Sequence, residues 1–376
     1  MKVLLHIPLS PYSGYGNDGI GLTQALVHAG VDVYLMPNVV QAPLPPEVAS
    51  LLTKPLQAPF DMIVTHVDPM ALEASESMRQ GTPLLVGWSM WEYSNLRNAS
   101  RRSSMRRRWK NFDAMVAYDQ VTKDGMAEHY KGPILIQQGG FNPQDWQPVE
   151  RDWEDPRFYF CQIGVLNERK DPFVTIRAFA DAREADPEFA EHARLMLKTS
   201  VPGLHSKMED VFPGLRIFYD AWPQETVREF YKGSHVLVAP SRGEGKNMPA
   251  LEFMSTGGTV IATNWGGHTQ WLHPDYAYPL DYTLAPVSPA FPNTLNARAS
   301  TDHLRDLMLH CFHNRSEVRD KGRIAASVIP SLCSWDSVVV RLMDKIRELG
   351  PNGARAYDAF ISAGVEAREN DKGLDF

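Results

Sequence analysis

Apolar residues recur along the chain in short unbroken runs separated by segments of helical spacing. Val3 to Ile7, Val31 to Met36, Met62 to Thr65, Leu84 to Val86, Ala114 to Ala117 and Ile134 to Ile136 have strand length. A strand apolar on both faces is one covered by helices on both sides, so the alternation predicts an α/β fold around a parallel sheet. A Pro-, Gly- and Trp-rich passage from Gly139 to Pro156 breaks the rhythm. It resumes with Phe158 to Val165, Leu195 to Leu197, Val236 to Val238 and Val260 to Thr263. The repetition predicts two domains, 1–150 and 151–334, then a closing helix over 335–350 and a polar tail over 351–376. Past Tyr282, Pro286, Pro289 and Pro292 predict a turn-rich connection, with helical patterns following over Asp302 to Phe312 and Ser316 to Val328.

Length agrees with that division, because 376 residues exceed one ordinary core. The formal charge of -7 gives no global attraction to nucleic acid or anionic lipid, so any basic site must be local. Cys161, Cys311 and Cys333 are scattered, fitting neither a disulfide framework nor a paired-cysteine metal site; a reducing compartment and no metal are expected. The run from Val3 to Ile7 is shorter than a signal peptide and reads as a first strand. No stretch approaches the ~18 apolar residues of a membrane span. The expectation is a cytoplasmic protein without integral membrane association.

The most informative stretch runs from Pro240 to Ala262. It reads as a strand end, a Gly-containing loop, a short helix entered by Pro249 at its first turn and stopped by Gly257-Gly258, and another strand. Such a loop offers backbone N–H groups and a helix N-terminus to an anionic or polyhydroxyl ligand at the carboxyl edge of a parallel sheet. The eight-residue step from Glu244 to Glu252 puts one carboxylate on the loop and the other about one turn into the helix.

This stretch resembles the Glu-x7-Glu signature of the family 4 retaining glycosyltransferases, whose GT-B fold sets two Rossmann-like domains about a central cleft. Phe160 to Lys170 is similar to the first strand and loop of that family's C-terminal domain. Gly140-Phe141-Asn142 through Pro148 resembles its interdomain segment, and Ser13-Gly14-Tyr15-Gly16-Asn17 its N-terminal glycine loop. The resemblance implies a retaining transfer from a nucleotide-sugar, a UDP-sugar first, that needs no metal or other cofactor, with the last helix crossing back to the first domain. It implies that Glu252 binds the donor ribose, and that Glu244 with Gly245, Lys246, Asn247 and Met248 holds the donor sugar. Lys170 would neutralise the leaving diphosphate, and Gly14 and Gly16 would either approach the donor or form only a tight turn. Two positions depart from the pattern: Val165 stands where an arginine is usual, and Gly245-Lys246-Asn247 replaces Gly-Phe-Gly. Arg169 and Lys246 are the cations available to compensate.

The N-terminal half is expected to supply the acceptor. His66, at a strand end, is either a proton-transfer group or a histidine satisfied by its neighbours. Trp91 and Glu92 follow the Leu84 to Val86 strand at its ligand edge, whereas Trp88 reads as core. Between Glu92 and Asp113 no acid occurs, while Arg97, Arg101, Arg102, Arg106, Arg107, Arg108 and Lys110 crowd together. Met105, Trp109 and Phe112 have the spacing to dock this helix and leave a basic face in solvent. The segment reads as a site for a phosphate-bearing acceptor such as DNA, as a contact for an anionic membrane surface, or as a solvated face. A polyanion would relieve the repulsion, so the first reading of the acceptor is a hydroxymethylated pyrimidine in DNA, as in bacteriophage DNA modification, carried out in the host cytoplasm. The alternatives are a glycan or glycolipid acceptor, a nucleotide-sugar 2-epimerase, and an inactive sugar-nucleotide-binding module.

Overall fold

A computed structural model describes residues 1–79, 81, 84–95, 102–200 and 213–372. The chain divides into two compact units, Met1–Asn142 with Cys333–Phe376, and Pro143–Leu332. The crossing back of the C-terminal helix is thus present.

In the first unit β1 (Lys2–His6), β2 (Asp32–Leu35), β3 (Met62–His66), β4 (Leu84–Ser89), β5 (Ala114–Ala117) and β6 (Ile134–Ile136) form one sheet in the order β2-β1-β3-β4-β5-β6. Every pairing is parallel. Continuous apolar strands fit here because both faces are covered: Val3, Leu5, Val64 and Val86 share one core with Trp335, Val338 and Leu342 of the returning helix. Close packing fixes two glycines. A Cβ at Gly21 would lie 2.0 Å from the Trp335 indole nitrogen, and one at Gly140 2.7 Å from the Trp335 backbone. Where a polar tail was expected, a helix spans Pro351–Lys372. Ala356, Phe360 and Ala363 are buried, an apolar stripe sparse enough to read as polar in sequence.

In the second unit β7 (Phe158–Ile163), β8 (Ala193–Thr199), β9 (Leu215–Tyr219), β10 (Val236–Ala239), β11 (Thr259–Thr263) and β12 (Tyr278–Leu280) form another parallel sheet, ordered β12-β11-β10-β7-β8-β9. Its switch point lies between β7 and β10, adjacent strands whose connections depart in opposite directions. Ligands of open α/β sheets bind outside the carboxyl ends of strands at such a point. The expected turn-rich connection is instead an antiparallel hairpin, β13 (Tyr282–Ser288) with β14 (Phe291–Ala299). Prolines are tolerated because both strands of a two-stranded ribbon are edges. Cys161, Cys311 and Cys333 are buried free thiols.

Candidate active site

The loops leaving β7 and β10 are built alike. After β7 come Arg169, Lys170 and Asp171, then the helix Pro172–Ala185; after β10 come Glu244, Lys246 and Asn247, then the helix Met248–Ser255. Asp171 and Asn247 are the described non-glycine residues with left-handed backbones, φ 46° and 63°, and each stands directly before a helix and after a lysine. Two helix N-termini and two lysines therefore gather at the switch point, an anion-favouring arrangement. Such backbone strain costs on the order of 1–3 kcal/mol per residue and persists only where surrounding contacts impose it. Asp171 is held by Arg242, whose Nε donates to its carboxylate over 2.6 Å.

Glu244 is buried between two cations. Its carboxylate lies 2.6 Å from Lys170 Nζ and 3.0 Å from Arg169 Nη1, and Arg169 also donates to the Gly243 carbonyl. Burial by itself would favour the neutral acid. Arg169 and Lys170 outweigh it and hold the Glu244 carboxyl well below the usual range. Glu252 has the opposite balance. Burial pushes it up to about 7, against a 3.0 Å hydrogen bond donated by the Tyr231 hydroxyl and the nearby charge of Lys246. Glu252 retains partial exposure, whereas Tyr231 is fully buried. The structure thus joins Glu244 to Lys170 directly and links Glu252 to the same loop through Lys246. Met248 opens the helix, and Gly245 is met by Gly267 so closely that a Cβ on Gly267 would lie 1.7 Å from the Gly245 carbonyl oxygen. Gly267 N–H donates to the Glu244 carbonyl, fixing the loop. A cavity of about 1050 Å3 lies apart from these side chains, beside Arg151, Gly257 and Arg319.

In the first unit the glycine segment is not a loop. Gly14 and Gly16 belong to the first turn of the helix Gly14–His28, and the Ser13 hydroxyl accepts from Gly16 N–H. Gly16 is required by packing, since a Cβ there would sit 2.4 Å from the Ser10 carbonyl oxygen; at Gly14 there is room. His66 is wholly buried. Nδ1 lies 2.9 Å from the Trp88 carbonyl and Nε2 3.4 Å from Asp18, which also accepts from Tyr118. Neither ring nitrogen faces an open surface, so a role at an acceptor hydroxyl does not fit the ring as placed. Trp88 is core, as expected. Trp91 is half-buried and donates to the Asn95 carbonyl, with Glu92 half-buried beside it.

The basic helix spans Arg102–Trp109, and Met105, Trp109 and Phe112 dock it as their spacing predicts. Arg106 and Arg107 are exposed, Arg106 donating to the Glu128 carbonyl, and Arg108 is tied to the Met70 carbonyl. Arg97 and Arg101 lie outside the described residues.

Residues 157–279 match the family described as glycosyl transferases group 1. The second unit carries a glycosyltransferase group 1 domain. Two D-inositol 3-phosphate glycosyltransferases are similar in sequence. The one from Acidothermus cellulolyticus is 28% identical over 116 residues, covering 28% of this chain and 26% of that protein. The one from Corynebacterium diphtheriae is 24% identical over 178 residues, covering 42% and 41%. The matches thus span well under two thirds of those relatives. Among solved structures, the sucrose-phosphate synthase of Thermosynechococcus elongatus aligns with TM-score 0.63 at 14% identity, over 93% of this chain and 98% of that one. Anabaena HepE in complex with UDP and glucose aligns with TM-score 0.60 at 12% identity, over 93% and 100%. The chain has the GT-B glycosyltransferase fold.

Within the glycosyltransferase domain, three contributors have no counterpart in the sequence reading: Tyr231, Gly266-Gly267 and His268. Tyr231 is 21 residues from Glu252, and nothing local marks it as that carboxylate's donor. The paired glycines gave a signal, since Gly-Gly after a strand marks a close backbone approach. Among the described residues no helix is long and apolar enough to cross a membrane.

Proposed function

We propose that the chain is a retaining glycosyltransferase that moves a sugar from a UDP-sugar to a hydroxyl of a glycan or glycolipid. The observation that carries this reading is the buried Glu244 carboxylate held by Arg169 and Lys170 at the switch point of the second sheet. Breaking the bond between anomeric carbon and phosphate leaves negative charge on the diphosphate. Fixed cations and helix N-termini stabilise that charge best in a site shielded from water. Lys170, with Arg169 and Lys246, supplies the cations, which also answers the loss of the usual arginine at Val165. Glu252 takes the ribose hydroxyls, and Glu244 with the Gly245–Met248 backbone orients the sugar. The acceptor oxygen bonds to the anomeric carbon on the face from which the diphosphate departs, and a phosphate oxygen takes the acceptor proton. Glu244, clamped by two cations, is an electrostatic and orienting group with no covalent step.

A carbohydrate-bearing acceptor is favoured over DNA. The related proteins named above carry inositol phosphate, sucrose phosphate and glucose in their descriptions and none carries DNA. The test incubates the protein with UDP-sugars alone, then with glycan, glycolipid and hydroxymethylated DNA acceptors, reading products by mass spectrometry and anomeric configuration by NMR. A retained linkage on glycan or lipid is expected. A new free sugar from donor alone would identify a 2-epimerase, transfer confined to DNA would restore the phage reading, and no turnover with any pair would leave a binding module.

A further inference from the structure

His268 lies in the turn Gly266–Gln270 and is almost fully buried, with no part in the donor contacts just proposed. Its Nδ1 is 2.8 Å from the Thr263 carbonyl, which can only accept, so Nδ1 carries the proton and Nε2 presents a lone pair. Burial lowers its pKa to about 4, which keeps the ring neutral at ordinary pH. The Asn247 amide nitrogen donates to Nε2 over 3.0 Å, turning Oδ1 the other way, and Lys170 Nζ donates to that oxygen at 3.4 Å. Carbonyl, imidazole, amide and ammonium thus form one chain in which each hydrogen has a single consistent placement. Reversing the amide would set N–H groups against the Lys170 ammonium. Asn247 does this from a left-handed backbone that glycine adopts without strain, so its side chain is what asparagine adds there.

We propose that His268 and Asn247 are positioning residues that aim the Lys170 ammonium at the second phosphate of a nucleoside diphosphate. The inference rests on the donor reading above. Glu244 and Asn247 both hold Lys170, and a long side chain held at more than one point keeps its charge in place before the ligand arrives.

Equilibrium dialysis of UDP and of UMP against the wild type, Asn247→Gly, His268→Leu and His268→Gln tests this. Glycine suits the backbone at 247 and keeps the fold, while removing the amide. Glutamine at 268 can donate to Thr263 and accept from Asn247, whereas leucine can do neither. The wild type should prefer UDP. Asn247→Gly and His268→Leu should shrink that preference roughly tenfold through weaker UDP binding with UMP unchanged, the size of one hydrogen bond to a charged group. His268→Gln should retain most of it. An unchanged preference in Asn247→Gly and His268→Leu, or an equal loss of UDP and UMP, overturns the positioning role while leaving the donor reading in place. A wild type indifferent to the second phosphate overturns the donor reading itself, and this inference with it.

Discussion

Glu244 and Glu252 sit on one loop and helix, and burial opposes charge on both, yet their partners drive them apart. Two cations keep Glu244 ionised, while Glu252, with a tyrosine and a more distant lysine, holds its proton to about pH 7. Glu244→Gln leaves two largely buried cations without their counter-ion and should cost about 3 kcal/mol in urea unfolding at pH 7. The depressed pKa of Glu244 means its contribution is present above the ordinary value of 4.5 and is lost as pH falls below it, so the variant and wild type should converge in acid. For Glu252 the sign reverses. A carboxyl raised above its unfolded value contributes stability below about 4.5 that disappears as pH rises through about 7. Glu252→Gln should therefore melt higher than wild type at pH 8 and close to it at pH 5, read by scanning calorimetry. The two glutamates were legible because strand, loop, Pro249 and Gly257-Gly258 frame them in sequence, whereas Lys170 came from the resemblance of Phe160 to Lys170 to a family segment. Tyr231 and His268 were not, since their partners are set by three-dimensional packing.

The helices that carry these groups end on one buried arginine. Arg151 donates to the carbonyls of Thr256 and Ser234 and to the Thr256 hydroxyl, with a longer contact to the Tyr231 carbonyl. It caps the carboxyl ends of Met248–Ser255 and Gln224–Lys232, which bear Glu252 and Tyr231, and burial lowers its pKa to about 10. Its planar fork reaches several carbonyls that an ammonium cannot. Arg151→Lys should destabilise by about 1–3 kcal/mol, seen as a lower melting temperature, and should weaken UDP binding because the Glu252 helix loses its anchor. Element by element, continuous apolar strands were readable and patterned ones were not. β9 alternates between buried and exposed as an edge strand does, β12 is three residues around a proline, and the hairpin's prolines mimicked a loop.

Over the whole chain, the last segment belongs with the first unit. The Cys333 carbonyl accepts from Phe141 N–H and Trp335 N–H donates back to the Phe141 carbonyl, so the returning chain is stitched to Phe141 before its helix enters the core. Truncation after Leu332 removes Trp335, Val338, Leu342 and Ile346 from that core. Limited proteolysis of the truncated chain should digest 1–142 and spare a fragment near 143–332. The alternating pattern revealed two α/β halves but not which half owns the C-terminal helices, because an amphipathic helix does not name its partner; the crossing back came from the family resemblance, and the packing of Trp335, Val338 and Leu342 shows it. The central claim is that the second unit holds a nucleoside diphosphate through Lys170. Titration calorimetry of UDP into wild type and Lys170→Ala tests it most directly. Saturable binding by the wild type that falls about 10- to 100-fold in the variant is predicted, the range for a hydrogen bond to a charged group. No binding by the wild type, or equal affinity in both, would contradict it.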